Sequence, residues 1–107
     1  MALDEQLEQV VMTIIANAGD ARAKVHEALA KAKKYEFEEA TALLKKSEEA
    51  SHEAHKAHSE LLTLYANGQL PTIDLLISHA QDHMMCAELA RELVTEIINL
   101  HEMVQEK

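Results

Sequence analysis

Two histidines and an aspartate lie within about one helical turn in segment 79–83, which reads HAQDH. Residues three and four positions apart are neighbours on a helix, so His79 can meet both Asp82 and His83. A neutral imidazole is a nucleophile near neutral pH, and a phosphohistidine is an accessible intermediate. Gln81 and His83 can donate hydrogen bonds, and Asp82 can orient an imidazole or hold a divalent cation. The segment is therefore a candidate for phosphoryl transfer.

The same spacing is compatible with two other hypotheses. Histidines at i and i+4 bind zinc or copper, and Asp82 would then be a third ligand. The H-E-x-x-H signature is absent, because segment 52–55 reads HEAH and has the wrong interval. The second alternative is a plain structural module in which the histidines form a satisfied polar pair inside a bundle, which is the commoner arrangement. Spacing alone leaves all three hypotheses open.

Apolar residues recur at helical intervals along the chain and divide it into three predicted helices. The small residue Gly19 interrupts the first pattern without ending it, because a strong helix-forming segment follows. Three long helices with short links predict an all-α fold, an antiparallel three-helix bundle that forms a single domain over residues 1–107. The predicted bounds are about Asp4 to Lys33, Phe37 to Asn67-Gly68 with Pro71 shortly beyond, and about Thr72 nearly to the C-terminus.

Composition limits the classes of function. The 107 residues carry 19 acidic side chains against 10 Lys and Arg, a formal charge of -9, which argues against nucleic acid or an anionic membrane and favours a basic protein partner. Aromatic residues are only 3% of the chain, so helices are favoured over strands. A single cysteine allows no intramolecular disulfide. We expect a cytoplasmic protein with no direct membrane insertion, because no apolar run approaches the roughly 20 residues that span a bilayer.

Small residues, mainly alanines, line the apolar faces of all three predicted helices. They allow close packing but give a thin core for a lone bundle. The third helix retains further apolar residues outside that core face. Because a large exposed apolar surface usually marks an interface, we expect this helix to meet other subunits.

Four segments resemble one known family. Segment 78–85 reads SHAQDHMM, segment 17–23 reads NAGDARA, segment 37–40 reads FEEA, and segment 53–55 reads EAH. Together they resemble the lactose/cellobiose family of IIA components of the bacterial phosphoenolpyruvate-dependent sugar phosphotransferase system. The resemblance extends over essentially the whole chain and makes phosphoryl transfer the preferred hypothesis.

The resemblance implies a homotrimer that packs through its third helices. In this family the histidine that matches His79 accepts a phosphoryl group from HPr and passes it to a cysteine of a IIB component, which serves the IIC membrane component. Gln81 and His83 would support the phosphoryl group. The family's metal-binding aspartate matches Asp82, and the resemblance implies that three copies of it would hold one Mg²⁺ on the threefold axis.

Some positions depart from the family pattern. His58 stands where relatives tend to carry glutamine, Cys86 where a small hydroxyl residue is common, and Tyr35-Glu36 where a Gly-Asp turn is usual. Residues 90–98 resemble the cellobiose or diacetylchitobiose branch more than the lactose branch. We therefore expect uptake of a β-linked disaccharide of that class, which the membrane component would bind.

Overall fold

The computed structural model describes residues 2–70 and 75–106 and, within them, three α-helices and no strand. α1 spans Ala2–Lys33, α2 spans Phe37–Ala66 and α3 spans Leu75–Gln105. α2 runs antiparallel to α1, and α3 returns alongside both in a rod of 59 × 19 × 16 Å. The predicted all-α bundle is confirmed. The predicted start of the third helix near Thr72, and Pro71 before it, lie outside the described residues.

The first two helices end with the same main-chain arrangement. At the end of α2, Gly68 has φ 70° and donates to the Tyr65 carbonyl, while the next amide donates to the carbonyl of Leu64. At the end of α1, Tyr35 takes the equivalent position with φ 63°, and the Glu36 amide reaches back five residues. This paired hydrogen bonding satisfies carbonyls that a helix end leaves free. A single non-glycine residue at positive φ costs about 1 kcal/mol.

Aromatic packing surrounds the Tyr35 turn. The ring of Tyr35 lies 6.2 Å from that of Phe37 and 5.8 Å from that of His101, centroid to centroid. Lys31 bridges the same turn, with its ammonium 3.3 Å from Glu36 and 3.1 Å from Glu39. Hydrogen bonds to these two carboxylates raise the pKa of Lys31 above its ordinary value. These contacts stabilise the short link between α1 and α2, where Tyr35-Glu36 stands instead of the usual Gly-Asp turn.

The core between the helices is narrow. Ten of the twenty buried apolar side chains in the described part of the chain are alanines, and Ile14, Val11 and Val25 are the largest apolar side chains with essentially no exposure. Such side chains let helix axes approach closely but bury little surface each. The thin core predicted from the sequence is therefore present.

A row of exposed apolar side chains follows one side of α3, and we call it the α3 stripe. Leu89 and Leu93 are each 55% exposed at its centre. The stripe consists of Leu75, Met85, Leu89, Leu93, Ile97, Leu100 and Val104.

None of the described helices is apolar over a length sufficient to cross a bilayer.

Candidate functional site

The two histidines of the HAQDH segment contact each other on the surface of α3. The Nε2 atoms of His79 and His83 are 3.0 Å apart, and their rings are nearly perpendicular at a centroid distance of 4.4 Å. A neutral imidazole carries one N–H and one bare nitrogen, so one Nε2 donates to the other. His79 is exposed and His83 is half-buried. The spacing on the helix thus produces an accessible imidazole whose orientation a second imidazole fixes.

An open cleft of about 300 Å³ surrounds this pair. It is lined by Arg22 of α1 and by His79, Asp82, His83 and Cys86 of α3. Asp82 is exposed and makes no hydrogen bond or ion pair within the described part of the chain. The imidazole of His79 is therefore oriented by His83, whereas Asp82 contributes a negative charge to the cleft.

Gln81 lies away from the cleft. Its side-chain nitrogen is 3.1 Å from Nε2 of His58 on α2. Positions 79 and 81 are about 200° apart around a helix, so their side chains leave it on nearly opposite sides. Burial, and to a smaller extent the neighbouring His55, lowers the pKa of His58, which favours the neutral ring that can accept from the amide. Within one chain, Gln81 connects α3 to α2 and does not reach His79.

A second polar contact connects the same two helices. Nε2 of His55 lies 2.8 Å from a carboxylate oxygen of Glu88, and the guanidinium of Arg91 is 3.6 Å from the other oxygen. His52 is exposed, whereas His55 and His58 are half-buried. His55 and His58 therefore both make polar contacts from α2 to α3.

Arg22 is the cleft residue that the sequence analysis missed. It belongs to segment 17–23, one of the four that carry the family resemblance. Its neighbours Ala21 and Val25 are buried, which places Arg22 at the border of the core face of α1. Its place in that segment and its border position next to an apolar row were the available signals, since Arg22 and His79 are widely separated along the chain.

The described residues do not form a metal site within a single chain. No group of three or more His, Cys, Asp or Glu side chains there is close enough to hold an ion. His79, His83 and Asp82 share a cleft, but their arrangement does not provide a coordination sphere.

Known proteins share both the sequence and the fold of this chain. The family model described as PTS system, Lactose/Cellobiose specific IIA subunit, matches residues 9–102. The N,N'-diacetylchitobiose-specific EIIA component of Escherichia coli is 44% identical over 98 residues, which make up 92% of this chain and 84% of that protein.

Solved structures agree with the sequence comparison. The cellobiose-specific enzyme IIA of Bacillus anthracis superposes with a TM-score of 0.89 at 39% identity, covering 94% of this chain and 92% of that one. A IIA(chitobiose) chain solved in complex with HPr gives a TM-score of 0.82 at 40% identity, covering 92% and 96% respectively. Such IIA components are phosphotransferase components that carry a phosphoryl group. The chain therefore belongs to the lactose/cellobiose-specific IIA family of the sugar phosphotransferase system.

Proposed function

We propose that this chain is a cytoplasmic phosphocarrier whose nucleophile is His79. The bare Nε2 of His79 forms a bond to phosphorus as the bond between phosphorus and the donor nitrogen of phospho-HPr breaks. A cysteine thiolate of the IIB component then attacks the same phosphorus, and the His79 nitrogen leaves. The observation that carries this proposal is the exposed His79 held 3.0 Å from His83 in an open cleft.

The geometry of the pair suits such a transfer. When His83 donates its Nε2 hydrogen to His79, it holds His79 in the tautomer whose Nε2 carries the lone pair, and this hydrogen bond breaks as Nε2 attacks phosphorus. After phosphorylation that N–H is free to donate to a phosphoryl oxygen, which stabilises charge that arrives during the reaction. Exposure matters equally, because two protein partners must reach the same nitrogen in turn. These features support His79 as nucleophile and His83 as supporting donor.

Charge supports HPr as the donor. This chain has a formal charge of -9, and a IIA(chitobiose) relative has been solved in complex with HPr. An acidic surface accelerates encounters with a basic partner without requiring a tight complex. A relay protein must release each partner quickly, so fast encounter and weak binding suit it. The IIC membrane component would interact only indirectly, through IIB.

We infer that three chains assemble through the α3 stripe. Leu75, Asp82 and Leu89 recur at intervals of seven, which places them within about 20° of one another per step around a straight helix. Regular seven-residue spacing favours packing of several helices around a shared axis. Asp82 therefore lies within the apolar surface that association would cover. This position of Asp82 supports the homotrimer. Gln81 points away from the cleft of its own chain, so it would assist phosphoryl transfer only if assembly brings it near the cleft of another chain.

The cation proposal depends on that trimer. One exposed carboxylate offers Mg²⁺ a single protein ligand, whereas three carboxylates around an axis offer several of the hard oxygen ligands that this ion prefers. Three unneutralised carboxylates would repel one another at such a place. A bound Mg²⁺ would supply positive charge that holds the three chains together. Asp82 is accordingly assigned a role in assembly, and His79 the chemistry.

Exchange of Asp82 for asparagine is expected to remove the effect of divalent cations on assembly. Wild-type trimers should lose thermal stability when EDTA replaces Mg²⁺, whereas Asp82→Asn trimers should melt at the same temperature in both. Thermal unfolding followed by circular dichroism at fixed protein concentration measures this. Glu49→Gln is the control, because it removes an exposed carboxylate from α2, away from the stripe. Equal sensitivity to EDTA in the Asp82 variant would contradict the assignment.

We infer that the transported sugar is a β-linked disaccharide of the cellobiose or diacetylchitobiose class. The support is the resemblance of residues 90–98 to that branch and the specificities named for the Escherichia coli and Bacillus anthracis relatives. The membrane component would bind the sugar itself. Assignment therefore needs uptake assays with the partner components rather than sugar binding to this chain.

The phosphocarrier proposal is tested by incubating the wild-type protein with phosphoenolpyruvate, enzyme I and HPr. Intact-protein mass spectrometry should show one phosphoryl group per chain, which acid removes and alkali leaves in place. Omission of HPr should prevent the mass change. A relay whose activity has been verified on another IIA component, but which leaves this chain unmodified, would contradict the proposal.

A further inference from the structure

The cleft around His79 contains a positive charge to which the proposed mechanism assigns no role. Among the five residues that line the cleft, Arg22 alone carries a fixed positive charge. Its side chain makes no ion pair or hydrogen bond within residues 2–70 and 75–106. A guanidinium at the border of the α1 core that has no partner among these residues is available to a ligand.

The balance of charges in the cleft indicates that a phosphoryl group is a suitable ligand for Arg22. In a single chain with both imidazoles neutral, the charges of Arg22 and Asp82 cancel each other, and in the proposed trimer the Asp82 charge would be taken up by Mg²⁺. A phosphoryl group on His79 adds a charge close to two negative units, as other phosphorylated side chains do. Without Arg22, the same group would lie near Asp82 with no opposing charge from the cleft itself. Phosphoryl transfer requires cations or donors that receive this charge, because positioning and electrostatics provide most of its catalysis.

Two other cations on α1 and α3 already pair with carboxylates. Lys24 lies one helical turn from Asp20 and pairs with its carboxylate at 3.1 Å. Arg91 lies 3.6 Å from Glu88 on the side of α3 that faces α2, and it does not line the cleft. Arg22 also has the more suitable chemistry, since a planar guanidinium can donate two parallel hydrogen bonds to phosphoryl oxygens.

We propose that Arg22 is a phosphoryl-binding residue of this site. Its guanidinium donates hydrogen bonds to the non-bridging oxygens of the phosphoryl group as that group moves onto and off His79. The buried side chains of Ala21 and Val25 on either side fix this part of α1 against the bundle. This inference rests on the proposed role of His79.

The test compares Arg22→Gln and Arg22→Lys with Lys24→Gln in single-turnover transfer from phospho-HPr. At saturating phospho-HPr, Arg22→Gln should be about 100-fold slower than wild type, at the low end of the range found for loss of one donor to a developing charge. Arg22→Lys should recover part of the rate. Lys24→Gln removes the same charge two residues along the same helix, so it controls for weaker docking and should keep the wild-type saturated rate.

A second readout reports contact with the phosphoryl group directly. The ³¹P chemical shift of phosphorylated Arg22→Gln, and its pH titration, should differ from wild type, whereas those of phosphorylated Lys24→Gln should not. A change only in the phospho-HPr concentration giving half-maximal rate, with an unchanged saturated rate and ³¹P signal, would overturn the inference. Failure of the wild type to accept phosphate would instead overturn the proposed function, so the two outcomes are distinct.

Discussion

Exchange of His79 for alanine is expected to abolish phosphorylation while the helices stay folded. The side chain is exposed, so its removal leaves no cavity in the core. In the proposed transfer its Nε2 supplies the electron pair that forms the bond to phosphorus, and alanine has no substitute for it. Intact-protein mass spectrometry after incubation with the complete relay measures the loss, and far-UV circular dichroism verifies the fold.

The control is His83→Ala. His79 and His83 are hydrogen-bonded to each other at 3.0 Å, so either exchange breaks the same contact. Only the His79 exchange removes the nucleophile. We expect the His83 variant to accept phosphate about 10- to 100-fold more slowly, through loss of a donor and of the orientation of His79. A phosphoryl group on the His79 variant, located by peptide mapping, would reassign the nucleophile.

Exchange of Leu93 for glutamate is expected to separate the subunits. Leu93 is 55% exposed in the isolated chain, so a lone bundle can hydrate a carboxylate at this position. In an assembly packed on the α3 stripe, three such carboxylates would be buried together without partners, which costs several kcal/mol per ion. Light scattering coupled to size-exclusion chromatography should give a trimer mass for wild type and a monomer mass for the variant.

Leu62→Glu supplies the matched comparison for this experiment. Leu62 is 53% exposed, nearly the same as Leu93, but it lies on α2 outside the α3 stripe. The exchange therefore introduces the same charge at a similarly hydrated leucine and should leave the trimer intact. Dissociation by both variants would point to a general effect of added charge. A trimeric Leu93 variant would place the interface elsewhere.

Local sequence features predicted the helices well because their causes are local. Apolar periodicity predicted the positions of α1 and α2, and Gly68 indicated the end of α2. The end of α1 has the same geometry without a glycine, because Tyr35 adopts a positive φ beside Phe37. The break in the pattern located that turn, but its tyrosine conformation depends on contacts with His101 from α3, which no local pattern reports.

The contacts of the candidate site are also of two kinds, those within one helix and those between helices. The contact of His79 with His83 follows from a spacing of four on one helix and was predicted from the sequence. The hydrogen bond between Gln81 and His58 joins residues 23 positions apart, so it depends on how α2 and α3 are aligned. Arg22 enters the cleft through the alignment of α1 with α3. Such alignments arise from packing of many small side chains, and no local sequence pattern predicts which residues of two helices they bring into contact.

The position of His79 within a helix has a consequence for the phosphoryl group that it would carry. The backbone amide of His79 and those that follow along α3 are used in the hydrogen bonds of the helix itself. Glycine-rich loops surround a phosphate with free main-chain amides, and this helix position offers no such cradle. The group would be held by side chains that can rotate away, in a cleft open to water. Such weak retention would keep the free energy of the phosphorylated state close to that of the phosphorylated partners, so that the phosphoryl group would leave as readily as it arrives.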